Sequence, residues 1–276
     1  MKSKHVRLAA QIIFFALIAF ISINHTLAEA GAGLSFIPEV SLHAICPFGA
    51  VETLGSFLTG WGLIRQLHPS VMVIGSIILL LTLLFGPVFC SHICPLGSIQ
   101  EWIGKLGRKI FKNRYNKLIP KKVHNVLKYL RYVVLILILV QTYRSASLIF
   151  TDADPYYALF HFWTGEATIA ALIILGVTLV MSLFVERPWC KYACPYGGLL
   201  GIFSKISLFK IRRSESKCID CGKCDKECPM LIDISKKKRV NDTLCNRCMI
   251  CTTEEGTCPV DGACYNGIMN AKNEEA

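Results

Sequence analysis

The chain has 276 residues, of which 53% are hydrophobic and only 18% are charged. A soluble globular domain carries about 25% charged residues, so this composition excludes a disordered chain and favours a membrane protein. The formal net charge is +11, but many basic residues flank apolar segments, where they act as topology signals. We therefore expect no nucleic-acid partner.

Four apolar segments dominate the sequence, at about residues 8–27, 71–89, 130–149 and 167–185. Each is close to the ~20 residues that a helix needs to cross a hydrocarbon core of about 30 Å. The sequence therefore predicts a mainly α-helical membrane protein with four transmembrane helices.

The distribution of lysine and arginine predicts the orientation of these helices. Basic residues are dense before the first segment, between the second and third, and after the fourth. By contrast, residues 28–70 contain only Arg65, and residues 150–166 contain none. We expect a multi-pass protein of the bacterial inner membrane with both termini in the cytoplasm. The first segment, followed by Ala28 and Ala30, also fits a cleaved secretory signal, but its length favours an uncleaved helix.

A cysteine pair follows the second and the fourth apolar segment. The sequences are FCSHICPLG, with Cys90 and Cys94, and WCKYACPYG, with Cys190 and Cys194. Both place a C-x3-C-P motif between an apolar segment and an amphipathic basic stretch, which indicates an internal repeat. If the two helix ends meet, the four thiolates could hold a third iron–sulfur cluster or a metal ion. A redox-active thiol pair on each helix and a purely structural role are the alternatives.

The loop after the first segment contains a partial copy of this motif. It reads AICPFG, with Cys46, and Leu42 stands where the partner cysteine would be. A packing role is the default interpretation of this lone thiol.

The C-terminal region carries two further cysteine motifs. Residues 218–229 read CIDCGKCDKECP, the bacterial ferredoxin pattern C-x2-C-x2-C-x3-C-P, and residues 245–259 read CNRCMICTTEEGTCP. In this pattern three cysteines wrap one face of a [4Fe–4S] cube, and the fourth reaches the other cube. We therefore expect one cluster on Cys218, Cys221, Cys224 and Cys258, and a second on Cys245, Cys248, Cys251 and Cys228.

The alternatives for these eight cysteines are weaker. A zinc ribbon commonly includes histidine, and no histidine follows His161. Disulfides are unexpected in a segment that the charge bias assigns to the cytosol. The last gap of the second motif has six residues instead of three, which lengthens a surface loop. Cys264 is left over; we expect a packed thiol, with a back-up ligand role for Cys258 as the alternative.

The expected organisation has three parts. Residues 1–213 form a four-helix membrane domain with the two C-x3-C-P motifs, residues 214–264 form a double ferredoxin module, and residues 265–276 form a polar tail.

Four predicted spans, two C-x3-C-P motifs and a double ferredoxin module together resemble the NapH/MauN family of ferredoxin-type membrane proteins, with relatives in the membrane parts of NosR-like proteins. The resemblance covers roughly residues 70–260. It implies an inner-membrane electron-transfer protein of respiration, of the quinol dehydrogenase type, that passes electrons toward periplasmic reductases.

We therefore expect a membrane-bound iron–sulfur protein that carries electrons between the quinone pool, or a cytosolic donor, and an extracytoplasmic reductase. Its expected partners are membrane lipid, quinone and other electron-transfer proteins, such as a reductase, a flavoprotein or a cytochrome. Candidate quinone contacts are His92 and Tyr192 on the inner side, and His161, Trp163 and Glu166 on the outer side. The alternatives are a conduit from a cytosolic reductant to an extracytoplasmic flavoprotein or thiol, and a factor for iron–sulfur maturation or redox sensing.

Overall fold

The computed structural model describes residues 2–29, 69–145, 153–165, 167–253 and 257–268. Two of the candidate residues, Cys46 and Glu166, lie outside these ranges. The described chain is mainly helical. Its helices are α1 (Lys2–Glu29), α2 (Pro69–Phe85), α3 (Val88–His92), α4 (Pro95–Phe111), α5 (Lys121–Leu127), α6 (Leu130–Ser145), α7 (Pro155–His161), α8 (Ile169–Ser182), α9 (Pro188–Tyr192), α10 (Pro195–Phe203) and α11 (Lys223–Lys226).

The expected set of four transmembrane helices is confirmed only in part. Within the described residues, two helical stretches are long and apolar enough to cross a membrane, His5–Ala28 and Lys121–Gln141. Helices α2 and α8 are apolar, but they have 17 and 14 residues, or about 25 and 21 Å at 1.5 Å per residue. Both are shorter than their apolar segments for local reasons. Gly86 (φ +81°) ends α2, and the Thr168 side chain caps the start of α8.

Helix α7 belongs to the connection between α6 and α8 that the charge distribution assigned to the outer side. It is buried among α1, α4 and α8, and its Tyr156, Ala158 and Phe160 side chains are part of the core of the helical domain. The Ser22 hydroxyl of α1 donates to the Phe160 carbonyl at 2.6 Å. The connection therefore folds back between the helices instead of lying over their ends.

The structure contains the repeat that the sequence indicates. Helices α2, α3 and α4 follow one another in the same order as α8, α9 and α10, and equivalent cysteines differ by 100 in residue number. The two halves diverge after the motif, because α4 has 17 residues and α10 has nine.

The C-terminal module is built on a two-stranded antiparallel sheet. Strand β1 (Phe209–Arg213) pairs with β2 (Cys264–Ile268), so that Phe209 lies opposite Ile268 and Arg213 opposite Cys264. The pairing extends past both expected boundaries of the module, at 214 and 264. Cysteines and aliphatic side chains share its core, including Ile211, Ile234 and Val240.

The module lies against one end of the helical domain. The Leu208 amide donates to the Leu83 carbonyl of α2 at 3.0 Å. Arg131, near the start of α6, donates from Nη2 to Thr243 Oγ1 at 2.8 Å. The last turn of α2 and the first turn of α6 therefore both contact the C-terminal region, which agrees with an antiparallel arrangement of these two helices.

Candidate iron–sulfur sites

The two C-x3-C-P motifs have the same backbone geometry. The first cysteine lies in a five-residue helix, and the second is the N-cap of the next helix, which begins with proline. Cys94 (φ −61°, ψ 114°) and Cys194 (φ −67°, ψ 110°) are extended, because a residue before proline avoids the helical region. Their amides donate to Phe89 and Trp189 carbonyls at 3.0 and 2.9 Å. Each motif thus presents its two thiols from one compact turn.

The four thiols of the two motifs line a single cavity between the repeats, here called the thiol cavity. Burial, with a contribution from Cys190, raises the pKa of the Cys94 thiol to about 12. Cys245 of the C-terminal module lines the same cavity. The structure therefore brings together Cys90, Cys94, Cys190 and Cys194.

Buried donors without an acceptor surround the thiol cavity. Among the described residues, Arg131 Nε, Trp189 Nε1 and Asn246 Nδ2 have no hydrogen-bond partner, and all three residues line the cavity. An unsatisfied buried donor costs about 1–3 kcal/mol. Hydrogen bonds to the sulfurs are one of the means by which proteins stabilise the negative charge of an iron–sulfur cluster. The donor set therefore fits an anionic group held by the four thiolates.

In the part of the chain that the structure describes, no three Cys, His, Asp or Glu side chains converge closely enough to bind one metal ion.

A buried ion-pair network connects both repeats to α1, and we call it the Glu101 network after its central residue. The Glu101 carboxylate accepts from Arg187 Nη2 at 2.5 Å, and from Arg7 Nη2 and Gln11 Nε2 at 3.0 Å each. Burial alone would raise the pKa of Glu101, but the Arg187 and Arg7 charges outweigh it and lower the pKa to about 2. Arg7 Nη1 also donates to the Cys248 carbonyl at 3.0 Å. The network therefore reaches from the thiol cavity to the C-terminal module.

The two C-terminal motifs follow the same unusual backbone path. Asp220 (φ +49°) and Gly222 (φ +65°) are left-handed in the first, and Arg247 (φ +55°) and Met249 (φ +61°) occupy the same two positions of the second. A left-handed residue other than glycine costs about 1–2 kcal/mol, and such strain clusters at functional sites. The shared path indicates that both loops wrap their cysteines around the same kind of group.

The cysteines expected to bind the first cluster line one cavity, which Cys264 also lines. Of these four, Cys221 is exposed and the others are half-buried. The cavity-lining ligand candidates are Cys218, Cys221, Cys224 and Cys258.

The cysteines expected to bind the second cluster are all buried in the module. Burial raises the pKa of the Cys228 thiol, and the neighbouring Cys248 and Cys245 raise it further, so the last cysteine of the first motif lies beside the second motif. Cys251 is hydrogen-bonded to the Cys264 thiol. Cys264 is therefore buried between the two sets, in contact with one and lining the cavity of the other.

The candidate quinone contacts His92, Tyr192 and His161 bind or stack on neighbouring side chains. His92 Nδ1 is 2.6 Å from Ser91 Oγ, and Tyr192 Oη is 3.0 Å from His124 Nδ1. Neither His92 nor Tyr192 lines the thiol cavity. His161 is stacked on Tyr157 within α7, with 3.9 Å between ring centroids.

Sequence reasoning missed the Glu101 network. One signal was available, because Glu101 is the single acidic residue of the basic helix α4. Its partners Arg7 and Arg187 are 94 and 86 residues away, and nothing local in the sequence connects them.

Comparison with known proteins defines the class. A family model described as a 4Fe-4S binding domain matches the chain twice, at residues 67–114 and 167–214. The two matches coincide with the internal repeat and contain the C-x3-C-P motifs. The chain is therefore an iron–sulfur protein with two copies of this domain.

Individual relatives define the family. The putative electron transport protein YccM of Escherichia coli (strain K12) is 35% identical over 206 residues, which are 72% of this chain and 56% of YccM. The uncharacterized protein MJ0750 of Methanocaldococcus jannaschii is 36% identical over 222 residues, 80% of this chain and 86% of that protein. The ferredoxin-type protein NapH of Escherichia coli (strain K12) is 29% identical over 180 residues, 64% of this chain and 58% of NapH.

The chain belongs to the family of NapH-type ferredoxin-like membrane proteins. It spans little more than half the length of YccM and of NapH. No solved structure matches it.

Proposed function

We propose that the protein is a membrane-bound electron-transfer component with three [4Fe–4S] sites. When bound, such clusters accept and release single electrons. Three sets of four cysteines would hold them. The first set is Cys218, Cys221, Cys224 and Cys258, the second is Cys228, Cys245, Cys248 and Cys251, and the third is Cys90, Cys94, Cys190 and Cys194.

The position of Cys245 carries this proposal. Cys245 belongs to the second set, and it lines the thiol cavity together with the third set. Cys228 extends the first motif into the second set, and Cys264 lies between the first set and Cys251. The three sets therefore adjoin one another in the order first, second, third, which is the order that a stepwise conductor needs.

The exposure of the cysteines favours one of the three sets as the place where a soluble partner would bind. Cys221 of the first set is exposed, whereas every cysteine of the second set is buried. Lys223 and Lys226 are exposed on the adjoining helix α11. An acidic donor or acceptor would therefore approach the first set, with the lysines favouring encounter.

The membrane end of the series is the thiol cavity. We propose that α1, α2, α6 and α8 cross the bacterial inner membrane, with both termini and the C-terminal module on the cytoplasmic side. The basic residues at the module end of the helices support this orientation. The lipid-side partner would be a quinol or quinone, and the final partner an extracytoplasmic reductase.

Iron and sulfide analysis of anaerobically purified protein, combined with EPR, tests the three sites. We expect about twelve irons per chain in the wild type and about eight in a C90A/C94A/C190A/C194A variant. Cys46→Ala removes a thiol outside the three sets and is the control, with about twelve irons expected. Equal iron in wild type and quadruple variant would remove the third site, and zinc in place of iron would remove all three.

Quinol titration tests the membrane partner. Menaquinol added to the oxidised protein under argon is expected to bleach the cluster absorbance, because quinol oxidation supplies the electrons. Bleaching by a low-potential soluble donor but not by menaquinol would contradict the quinol link and favour a cytosolic reductant as the source.

A further inference from the structure

We infer that Arg187 is the positioning residue of the thiol cavity, where it ties the two C-x3-C loops together and fixes a positive charge beside the bound cluster. This inference rests on the proposed third site and goes beyond it, because it names a residue outside every cysteine motif.

Arg187 connects the two loops through its side chain and its backbone. From the second repeat, its Nη1 donates to the Cys90 carbonyl at 2.6 Å and its Nη2 to the Ser91 carbonyl at 3.5 Å. Its own carbonyl accepts from the Lys191 amide at 3.0 Å, at the start of the helix that carries Cys190. One residue therefore caps the first loop and begins the second.

The local structure is shaped around this side chain. Arg187 is left-handed (φ +50°), which an arginine adopts only at a cost. Its side chain is 1% exposed. A Cβ at Gly97 would lie 3.2 Å from Arg187 Nη1, so a glycine leaves room for the guanidinium.

The repeat is asymmetric at this point. The position equivalent to Arg187 in the first repeat is Pro87, which carries no charge and donates no hydrogen bond. The second repeat therefore supplies a guanidinium that holds the first loop, and the equivalent position of the first repeat supplies none in return.

The charge balance favours an anionic cluster. Arg187 lines the thiol cavity, while Glu101, its partner, is shared with Arg7. Two buried guanidinium groups and the exposed Lys105 ammonium, at 3.6 Å, therefore face one carboxylate. Removal of Arg187 would leave that carboxylate paired with Arg7 and Lys105 and would take a positive charge from the cavity wall.

The test is iron content, EPR and redox titration of R187Q and R187K. We expect R187Q to lose about four of about twelve irons, because the substitution displaces only the cysteines of the third set. The EPR signals of the first and second sets are expected to remain. R187K keeps the charge but cannot span the Cys90 carbonyl and Glu101 together, so an intermediate loss is expected.

Arg108→Gln is the matched control. Arg108 is also paired with buried Glu186, at 2.5 Å, and with Glu227, at 2.6 Å, but it does not line the thiol cavity. We expect about twelve irons in this variant.

The outcomes separate this inference from the proposed function. About eight irons in the wild type would overturn the third site and the inference with it. About twelve irons in both wild type and R187Q, with an unchanged midpoint potential of the third signal, would overturn the role of Arg187 alone.

If R187Q fails to fold, Glu101→Gln decides the matter, because Arg187 stays in place. Loss of the negative charge beside it is then expected to make the midpoint potential of the third signal more positive. An unchanged midpoint potential in Glu101→Gln would contradict the inference.

Discussion

At the scale of single residues, Glu101 is the charge around which the membrane edge is organised. Its carboxylate is 4% exposed and accepts from two guanidinium groups and an amide. A buried carboxylate is tolerated only when it is fully paired and hydrogen-bonded. The three donors come from α1 and from the second repeat, so a single acid holds together segments that are far apart in the chain.

The pairing of Glu101 predicts a pH dependence. Its pKa falls from 4.5 to about 2 on folding, so its contribution is complete above its unfolded pKa and is lost as the pH falls toward about 2. Glu101→Gln is expected to lower the free energy of unfolding by roughly 3 kcal/mol near neutral pH. The difference from wild type is expected to shrink as the pH falls from about 5 toward about 2. Urea unfolding in detergent, followed by tryptophan fluorescence, measures it; a constant difference would contradict the pairing.

Gly201 decides how closely α10 approaches the C-terminal module. A Cβ there would lie 2.4 Å from the Thr243 carbonyl, so Gly201→Ala is expected to push the two apart and to destabilise by about 1–3 kcal/mol. Gly176 is the control, since a Cβ there meets no atom within 4 Å. Gly176→Ala is expected to be neutral or to stabilise by up to about 1 kcal/mol. Denaturant unfolding distinguishes them, and equal effects would argue against the close contact.

At the scale of elements, α1 has the pattern of a membrane helix, with polar side chains on its buried face and apolar side chains on its exposed face. Its buried face carries Arg7, Gln11, Ile18 and Ser22, spaced as one side of a helix, whereas many of its large apolar residues are exposed. The apolar run predicted the helix, but not which face turns inward, because that depends on partners such as Glu101. Cleavage as a signal would remove these contacts, so we expect the mass of the mature protein to include α1.

The contact of α1 with the module gives a prediction for Arg7. Arg7→Gln removes the hydrogen bond to the Cys248 carbonyl and one charge from Glu101, at an expected cost of about 1–3 kcal/mol. Because Cys248 belongs to the second set, iron release to a chelator is expected to be faster than in wild type. His5→Gln, at an exposed position of the same helix, is expected to release iron at the wild-type rate. Equal rates in all three proteins would mean that α1 does not support the module.

At the scale of the whole molecule, the sequence predicted best what is local. Ligand spacing places Cys218, Cys221 and Cys224 on one loop whatever the rest of the chain does, and the C-x3-C-P repeat is equally local. The proximity of Cys90 and Cys190 depends on how the two repeats pack against each other. The sequence therefore allowed only a conditional prediction of it. Helix lengths and the inward fold of α7 were missed, because caps and core contacts set them and hydropathy does not.

The proposed four-span topology predicts a pattern of reporter activity. Alkaline phosphatase fused after Gly60 or Gly165 is expected to be active, since both positions would face outward. Fusions after Lys117 or Ile268 are expected to be inactive, and green fluorescent protein fused there is expected to fluoresce. If α2 or α8 does not cross the membrane, the activities at Gly60 and Lys117, or at Gly165 and Ile268, will not alternate.

The contacts that hold the C-terminal module against the helix ends have a kinetic consequence. Arg7, Arg131 and Leu208 each bind across that boundary. An electron-carrying domain on a flexible linker must move between its donor and its acceptor at every turnover, and solvent viscosity slows that movement. In this protein the module is fixed against the helix ends. Glycerol or crowding is therefore expected to leave the rate of internal electron transfer unchanged, and a longer chain before β1 is not expected to raise that rate.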